Sequence, residues 1–330
     1  MRKKLPFTAL AGVLCFGFLA GTANAQTAAA TTYPTKAVRL IVPFAAGGAV
    51  DLIGRQIAVA LNESLNQAFV VENKPGAGGL LALEQVASAA PDGYTLAIGA
   101  AGPLSMSPSL YKSRNFDPIA RFEPVIWYAS TPGVLVVNPA VKAKTVNELV
   151  AVSKAAPQPL NMGSAGSGSI NHLMGEYFQE KARIKWLHVP FRGSAPALTE
   201  LMAGRLDVMM DIVPTASPLI NTGKLRALAV TTPKRSSLLP DTPTLKELGY
   251  RDFDVSSWIS LMAPRGTPPE IVEKLNTALN KALQTTAVRA RLSVVGAEPE
   301  GGSASRVTER LKLEIPRWAA IIKSSGATAE

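Results

Sequence analysis

The chain has 330 residues, 47% of them hydrophobic and 6% aromatic, and its formal net charge at pH 7 is +10. No basic block of the kind found in nucleic-acid-binding arms accompanies this charge, so we expect no nucleic-acid partner and only a mild preference for anions. The single cysteine, Cys15, lies in an N-terminal apolar stretch. The rest of the chain therefore has no thiol for a disulfide, a zinc-thiolate site or a nucleophile.

Residues 1–25 have the composition of a secretory signal peptide. Three basic residues precede an apolar stretch at 10–20, and small residues follow at 23 and 25. The stretch is shorter than the roughly 20 residues that span a bilayer. We expect cleavage after Ala25, which leaves 31 basic and 24 acidic residues and a net charge of +7, in a monomeric protein exported to the periplasm.

Strand-like apolar runs alternate with helical patterns from residue 38 onward, which is typical of an α/β protein. Strands are predicted at 38–42, 69–71 and 95–98, a helix follows the first of them, and "GAAGPLSMSP" is predicted to be a loop. The pattern restarts near residue 125, with strands at 134–137, 187–189, 206–210 and 225–230. Thr267 and Glu270 fit a helix capping box, and Pro316 is predicted to interrupt or kink a final helix at 305–323.

Two similar α/β halves predict a two-domain clamshell in which each domain is a mixed sheet flanked by helices. We expect domain 1 to comprise residues 26–127 and 254–330, and domain 2 to comprise residues 128–253. Ligands of open α/β sheets bind beyond the carboxyl ends of the strands, so the ligand cleft is expected between the domains.

The segment "PFAAGGAVD" joins the first strand directly to a helix. Gly47 and Gly48 tolerate unusual backbone angles and close approach, so they are expected to form a turn and to offer amides to an anion. Asp51 would repel such a ligand. It either interacts with its own helix N-terminus and Arg55, or receives an ammonium group or an ordered water.

The segment "GSAGSGSINH" repeats this arrangement in the second half. Ser164, Ser167 and the amides around Gly166 and Gly168 are donors suited to a carboxylate, while Ser169 is expected to cap the following helix. His172 would lie in the first helical turn, where the helix dipole favours a neutral imidazole.

The sequence offers little for catalysis. It has no G-x-S-x-G and no P-loop, and its only two histidines, His172 and His188, are 16 residues apart without ligand-type spacing. We therefore expect no enzymatic activity, no metal site and no cofactor.

Nine segments together resemble the Bug-type receptors of tripartite tricarboxylate transporters. They are "VPFAAGGAVD", "VVENKPGAGG", "PDGYTL", "LNMGSAGSGSINHL", "HVPFRGSAPAL", "GRLDVMMD", "GKLRALAVT", "KRSSLLPDTPTLKELG" and "SWISLMAPRGTP". They run in the family's order across residues 33–318. The resemblance implies a type II periplasmic binding protein that delivers a small carboxylate to an inner-membrane permease.

Carried over position by position, the resemblance implies a ligand site built from loop amides and hydroxyls. The implied residues are Phe44, Ala46, Gly47, Gly48, Ala49 and Asp51 in the first loop, Ser164, Ala165, Gly166, Ser167, Gly168, Ser169 and His172 in the second, and Asp211 at a strand end. Residues 101–107 are a weaker addition.

Two departures from the family's pattern bear on the ligand. Val50 stands where the family often has a hydroxyl residue, and Phe191 stands where it often has tyrosine. Both favour a partly apolar ligand over a citrate-like one, within the range of dicarboxylates, aromatic acids and acidic amino acids. There are two alternatives to a transport receptor. One is a periplasmic ligand sensor that partners a signalling system, and the other is an enzyme that uses the same cleft.

Overall fold

The computed structural model describes residues 32–191 and 193–328, so the expected signal peptide and its cleavage site lie outside the described residues. The first group of strands alternates with helices. Its elements are β1 (Val38–Val42), α1 (Ala49–Leu65), β2 (Phe69–Asn73), α2 (Leu80–Ala87) and β3 (Thr95–Ala100). Because β1 pairs in parallel with both β2 and β3, the carboxyl ends of the three strands lie at one edge of the sheet.

A compact helical segment follows β3 where the sequence predicted a loop. It consists of a π-helical turn (Gly102–Met106), α3 (Ser107–Leu110) and a 3₁₀ turn (Lys112–Arg114). The Ser105 hydroxyl donates to Ala101 O (2.6 Å), which ties this turn together. The loop prediction was therefore wrong, because Gly102 and Pro103 begin a helical turn here instead of ending regular structure.

The second group of strands repeats the alternation after a short helix and a long strand. The elements are α4 (Pro118–Arg121), β4 (Phe122–Val137), α5 (Val146–Ala155), β5 (Leu160–Ser164), α6 (Ile170–Ala182), β6 (Trp186–Pro190), α7 (Ser194–Met202), β7 (Val208–Ile212), α8 (Val213–Asn221) and β8 (Arg226–Val230). Strand β5 pairs in parallel with β6 and β7, so these carboxyl ends also share an edge.

The chain then returns to the first group of strands. The closing elements are β9 (Ser256–Pro264), α9 (Pro269–Leu283), α10 (Thr286–Val294), β10 (Glu298–Pro299) and α11 (Ser305–Ser325). Strand β9 pairs antiparallel with β3 and β4, and α9 packs on α1.

Strand β4 joins the two groups into one mixed sheet. Within the described residues the strand order is β2-β1-β3-β9-β4-β7-β5-β6, with β8 and β10 also paired with β4. Residues 122–132 of β4 pair with β9, whereas residues 133–137 pair with β7 and β8. The predicted mixed α/β class is thus confirmed, and the described residues from Pro34 onward form one compact unit.

Two local predictions near prolines were wrong, namely the capping box at Thr267 and the interruption at Pro316, whereas a kink at Pro316 stays a prediction. Helix α9 begins at Pro269, and its N-cap is Pro268, which is extended (φ −52°, ψ 133°) as expected for a residue that precedes proline. The proline side chain has no oxygen to accept from the first-turn amides, so the helix has no side-chain cap. The Thr267 hydroxyl donates instead to Pro264 O (2.8 Å). Helix α11 runs through Pro316 without interruption.

Candidate functional site

A cavity of about 370 Å³ lies between the loops at the carboxyl ends of the two strand groups. This volume falls within the roughly 300–1,000 Å³ typical of small-molecule sites. The cavity is lined by Phe44, Val50, Gly78, Ala100, Gly102, Pro103, Met106, Ser107, Leu110, Tyr111, Ala165, Gly166, Ser167, Gly168, Ser169, Ile170 and Ser257. Among the described residues, the lining contains no charged side chain.

The first wall comes from the β1–α1 loop. Asp51 is buried (1% exposed), and its Oδ2 accepts from Gly47 N–H (2.9 Å) and Arg55 Nε (3.0 Å), while Oδ1 accepts from Asn73 Nδ2 (2.9 Å). Burial raises the pKa of Asp51, but hydrogen bonds from Arg55, Gly47 and Asn73 outweigh it and hold that pKa below its usual value. Asp51 therefore stabilises its own loop, as one of the two sequence interpretations proposed.

The two adjacent glycines of this loop have different roles. Gly47 has φ +87°, a left-handed conformation that favours glycine, and its amide is already bound by Asp51. Gly48 has φ −78° and lies at the N-cap of α1, which has no side-chain cap. A Cβ at this position would meet no close neighbour, so it would fit. The amides of the first turn of α1 have no acceptor within the helix.

The second wall is the loop from Ser164 to Ser169. Ser169 caps α6, since its Oγ accepts from His172 N–H (3.3 Å) and donates to Gly166 O (2.6 Å). Ser164 is fully buried and its Oγ accepts from Gly166 N–H (3.1 Å), so it lies beneath the loop and does not line the cavity. Ser167 and Ser169 both line the cavity. Unlike Ser169, the Ser167 hydroxyl has no hydrogen bond to another described residue.

The two histidines of the chain stack directly behind this loop. The rings of His172 and His188 are 3.7 Å apart with an interplanar angle of 7°. Gly168 N–H donates to His172 Nδ1 (3.1 Å), and His188 Nε2 is 2.6 Å from Ser164 Oγ. Burial, with a smaller contribution from His172, lowers the pKa of His188 to about 4. The histidines thus support the loop from behind.

Asp211 is buried behind the second wall, where it accepts hydrogen bonds from three helices. Its carboxylate accepts from Asn171 Nδ2 (2.7 Å), Ser194 Oγ (2.9 Å) and Thr215 Oγ1 (2.6 Å). Burial raises the pKa of Asp211 despite these bonds. Because the three donors belong to α6, α7 and α8, Asp211 fixes the starts of three helices and does not line the cavity.

The structure thus divides the site residues predicted from the sequence into three sets. Phe44 and residues 165–169 meet at the cavity. Residues 46–49 are exposed on the first loop, outside the cavity lining. Asp51, Ser164, His172 and Asp211 are buried and support the loops from behind.

Sequence reasoning missed several polar and apolar residues of the lining. Tyr111 and Ser257 bring hydroxyls, and Gly78 brings a close backbone approach from "ENKPGAGG". The GAGG motif was a usable signal for Gly78. Tyr111 and Ser257 had none, because each reaches the cavity only through packing of segments distant in sequence.

The described residues contain neither a membrane-spanning helix nor a cluster of metal ligands. No helix there combines the length and apolarity needed to cross a membrane. No group of three or more histidine, cysteine, aspartate or glutamate side chains in that part of the chain is arranged to hold a metal ion.

Comparison with known proteins identifies the family. Residues 53–327 match the model of the tripartite tricarboxylate transporter family receptor. Protein BugT of Bordetella pertussis is 36% identical over 311 residues, covering 94% of this chain and 95% of BugT. A protein encoded in the tcbD-tcbE intergenic region of Pseudomonas sp. strain P51 is also 36% identical, with 92% of each chain covered.

Solved structures give the same result. An R. palustris protein with adipate is 37% identical, with a TM-score of 0.75 over 90% of this chain and 99% of that chain. MatC from Rhodopseudomonas palustris with bound malate is 34% identical, with a TM-score of 0.71 over 88% of this chain and 100% of MatC. The chain therefore belongs to the tripartite tricarboxylate transporter receptor family of periplasmic solute-binding proteins.

Proposed function

We propose that the protein captures a small carboxylate in the cavity and delivers it to the permease of a tripartite tricarboxylate transporter, without chemical turnover. The observation that carries the proposal is the chemistry of the two walls. Val50 in the first turn of α1 and Ile170 in the first turn of α6 both line the cavity, and the described lining has no charged side chain. Helix N-termini bind anions through free amides and the helix dipole, so both walls suit a carboxylate.

The cavity favours a dicarboxylate with an apolar middle. Phe44, Pro103, Met106, Leu110 and Ile170 line the space between the helix N-termini, while hydroxyls are contributed by Ser167, Tyr111 and Ser257. A linear dicarboxylate would place one carboxylate at each wall and its methylene groups against the apolar residues. The relatives described with adipate and malate support this ligand class.

Calorimetry with matched ligands tests the proposal. We expect adipate or a related dicarboxylate to bind with micromolar affinity, about 8 kcal/mol, which a few hydrogen bonds to charged carboxylates can supply. Adipamide has the same chain but no charge, and we expect no measurable binding. Equal affinity for adipate and adipamide would contradict the proposal, and recovery of a changed ligand would indicate an enzyme.

We also propose that two domains close on the ligand, with domain 1 comprising residues 26–127 and 254–330 and domain 2 comprising residues 128–253. The change of pairing partners along β4 supports a boundary in that strand. Small-angle scattering with and without adipate tests domain closure, since closure should reduce the radius of gyration.

Two further experiments test export and the transporter partner. Intact mass of protein from the periplasm tests cleavage after Ala25, and loss of adipate uptake in a permease deletion strain tests the transporter partner.

A further inference from the structure

The stacked histidines form part of the wall of a second, larger groove behind the second loop. This open groove has a volume of about 920 Å³, and Ser167, His172 and His188 line it. Ser167 also lines the ligand cavity, so one short loop separates the two spaces. The side chains that support the loop from behind are therefore accessible to solvent protons from the groove.

The hydrogen bond from Gly168 requires that Nδ1 of His172 carries no proton. A backbone N–H can only donate, so Nδ1 of His172 must carry a lone pair to accept from Gly168 N–H at 3.1 Å. The ring proton is then on Nε2, which lies 3.6 Å from Glu176 Oε1. An imidazolium carries protons on both nitrogens, and its Nδ1–H would point at Gly168 N–H.

We propose that His172 is a positioning residue for the second loop, which it holds in its binding geometry only while its imidazole is neutral, so that carboxylate affinity falls as the pH is lowered. This inference rests on the proposed function. Gly168 lines the cavity with a φ of +74°, and its amide donates to His172. Loss of that bond would move Gly168 and the neighbouring Ser167 donors away from the ligand.

The groups around the two stacked imidazole rings differ in which form of His172, charged or neutral, they favour. Glu176 favours its charged form, whereas the Gly168 amide and the N-terminus of α6 favour its neutral form. His188 on β6 stays uncharged to about pH 4 and covers one face of the ring. The other charged residues that line the groove are exposed and screened by solvent: Lys154, Glu180, Arg183 and Lys185.

Ligand and proton are therefore in competition through one hydrogen bond. A carboxylate that requires the ordered loop favours neutral His172, and by linkage a proton on His172 weakens the carboxylate. The Ser164–His188 contact does not impose the same condition, because either atom of that pair can donate.

The first test needs no ligand. Long-range ¹H–¹⁵N spectra of the uniformly labelled protein contain only two imidazoles, and His172→Asn assigns them. We expect His172 at neutral pH to carry its proton on Nε2 and none on Nδ1. A proton on Nδ1 would overturn the inference whether or not adipate binds.

The second test measures adipate affinity from about pH 7.5 to about pH 5.5, a range centred on the usual histidine titration. His172→Asn keeps an acceptor near the position of Nδ1 but cannot be charged. We expect the Kd of the wild type to rise about tenfold more than that of His172→Asn, a coupling in the usual allosteric range. Protonation of adipate itself is common to both proteins and cancels in this ratio.

Two further variants complete the second test. We expect His172→Leu, which has no acceptor, to bind weakly at both pH values, and Glu180→Gln, an exposed charge on the same helix, to keep the wild-type pH dependence. Equal pH dependence in the wild type and His172→Asn, or normal binding by His172→Leu, would overturn the inference. Failure of the wild type to bind any acid at pH 7.5 would instead refute the proposed function, and the spectra would still decide the state of His172.

Discussion

Glu314 on α11 links the cavity wall to the protein core. We expect Glu314→Ala to lower both the free energy of unfolding and the affinity for adipate. The side chain is 1% exposed. Its Oε2 accepts from Trp258 Nε1 (2.8 Å) and lies 2.9 Å from Ser105 Oγ, whose one proton it shares with Ala101 O. Its Oε1 accepts from Arg310 Nε (2.5 Å). Ser105 belongs to the π-helical turn whose Gly102, Pro103 and Met106 line the cavity.

The expected cost of Glu314→Ala follows from the groups it leaves behind. Breaking a buried ion pair by removing one partner costs about 3–5 kcal/mol, because the other charge stays buried. Arg310 keeps Asp254 as a partner (2.7 Å), which lowers the cost, whereas Trp258 Nε1 loses its acceptor, which raises it. We therefore expect about 3–4 kcal/mol. At about 2.1 cal/mol/K of unfolding entropy per residue, this corresponds to a decrease in Tm of roughly 4–6 °C for the 330-residue chain.

Differential scanning calorimetry measures this effect, and Glu309→Ala is the matched control. Glu309 lies on the same helix and carries the same charge, but it is exposed, so its removal should shift Tm by no more than about 1 °C. The adipate affinity of Glu314→Ala should also fall, because the Ser105 hydroxyl loses one of its two acceptors and the turn that lines the cavity loses its contact with α11. A Tm within about 2 °C of the wild type, or an equal decrease in Glu309→Ala, would refute the reasoning.

Three further predictions follow from the two loops. Ser167→Ala should weaken adipate binding about tenfold, as expected for one hydrogen bond to a charged group, and calorimetry would contradict this if the affinity were unchanged. Gly47→Ala should lower Tm because of its positive φ, whereas Gly48→Ala should not, since a Cβ fits there; equal Tm values would contradict the assignment. The pKa of Asp51 is lowered in the folded state, so ionised Asp51 stabilises the fold above the unfolded carboxyl pKa of about 3.9. The difference in unfolding free energy between wild type and Asp51→Asn, measured by urea titration, should therefore shrink as the pH falls below about 4. A difference that stays constant with pH would contradict this prediction.

The sequence alone determined the fold class and several local contacts. Alternating strand and helix patterns specified the mixed α/β fold, because hydrophobic periodicity is a local property of the chain. The Ser169 cap of α6 and the Asp51–Arg55 pair were predictable for the same reason, since both join residues within one helical turn. The segments "PFAAGGAVD" and "GSAGSGSINH" contain no lysine or arginine, and the cavity lining formed by the described residues likewise has no charged side chain.

The tertiary structure decided which groups of the loops remain available. Gly47 and Gly48 are equivalent in sequence, but Asp51 and Asn73 meet at the first loop only after β1 and β2 pair, and this engages the Gly47 amide. Ser164 was predicted to be a ligand donor, yet pairing of β5 with β6 places His188 against it, and the hydroxyl is buried.

The histidine stack shows the same limit most clearly. His172 and His188 are 16 residues apart on a helix and a strand, and no spacing rule connects them. Their rings stack at 3.7 Å because α6 packs across the strand pair that contains His188. Local sequence fixes the donors and acceptors that each residue carries, but packing between distant segments determines which of them are paired and which are left for a ligand.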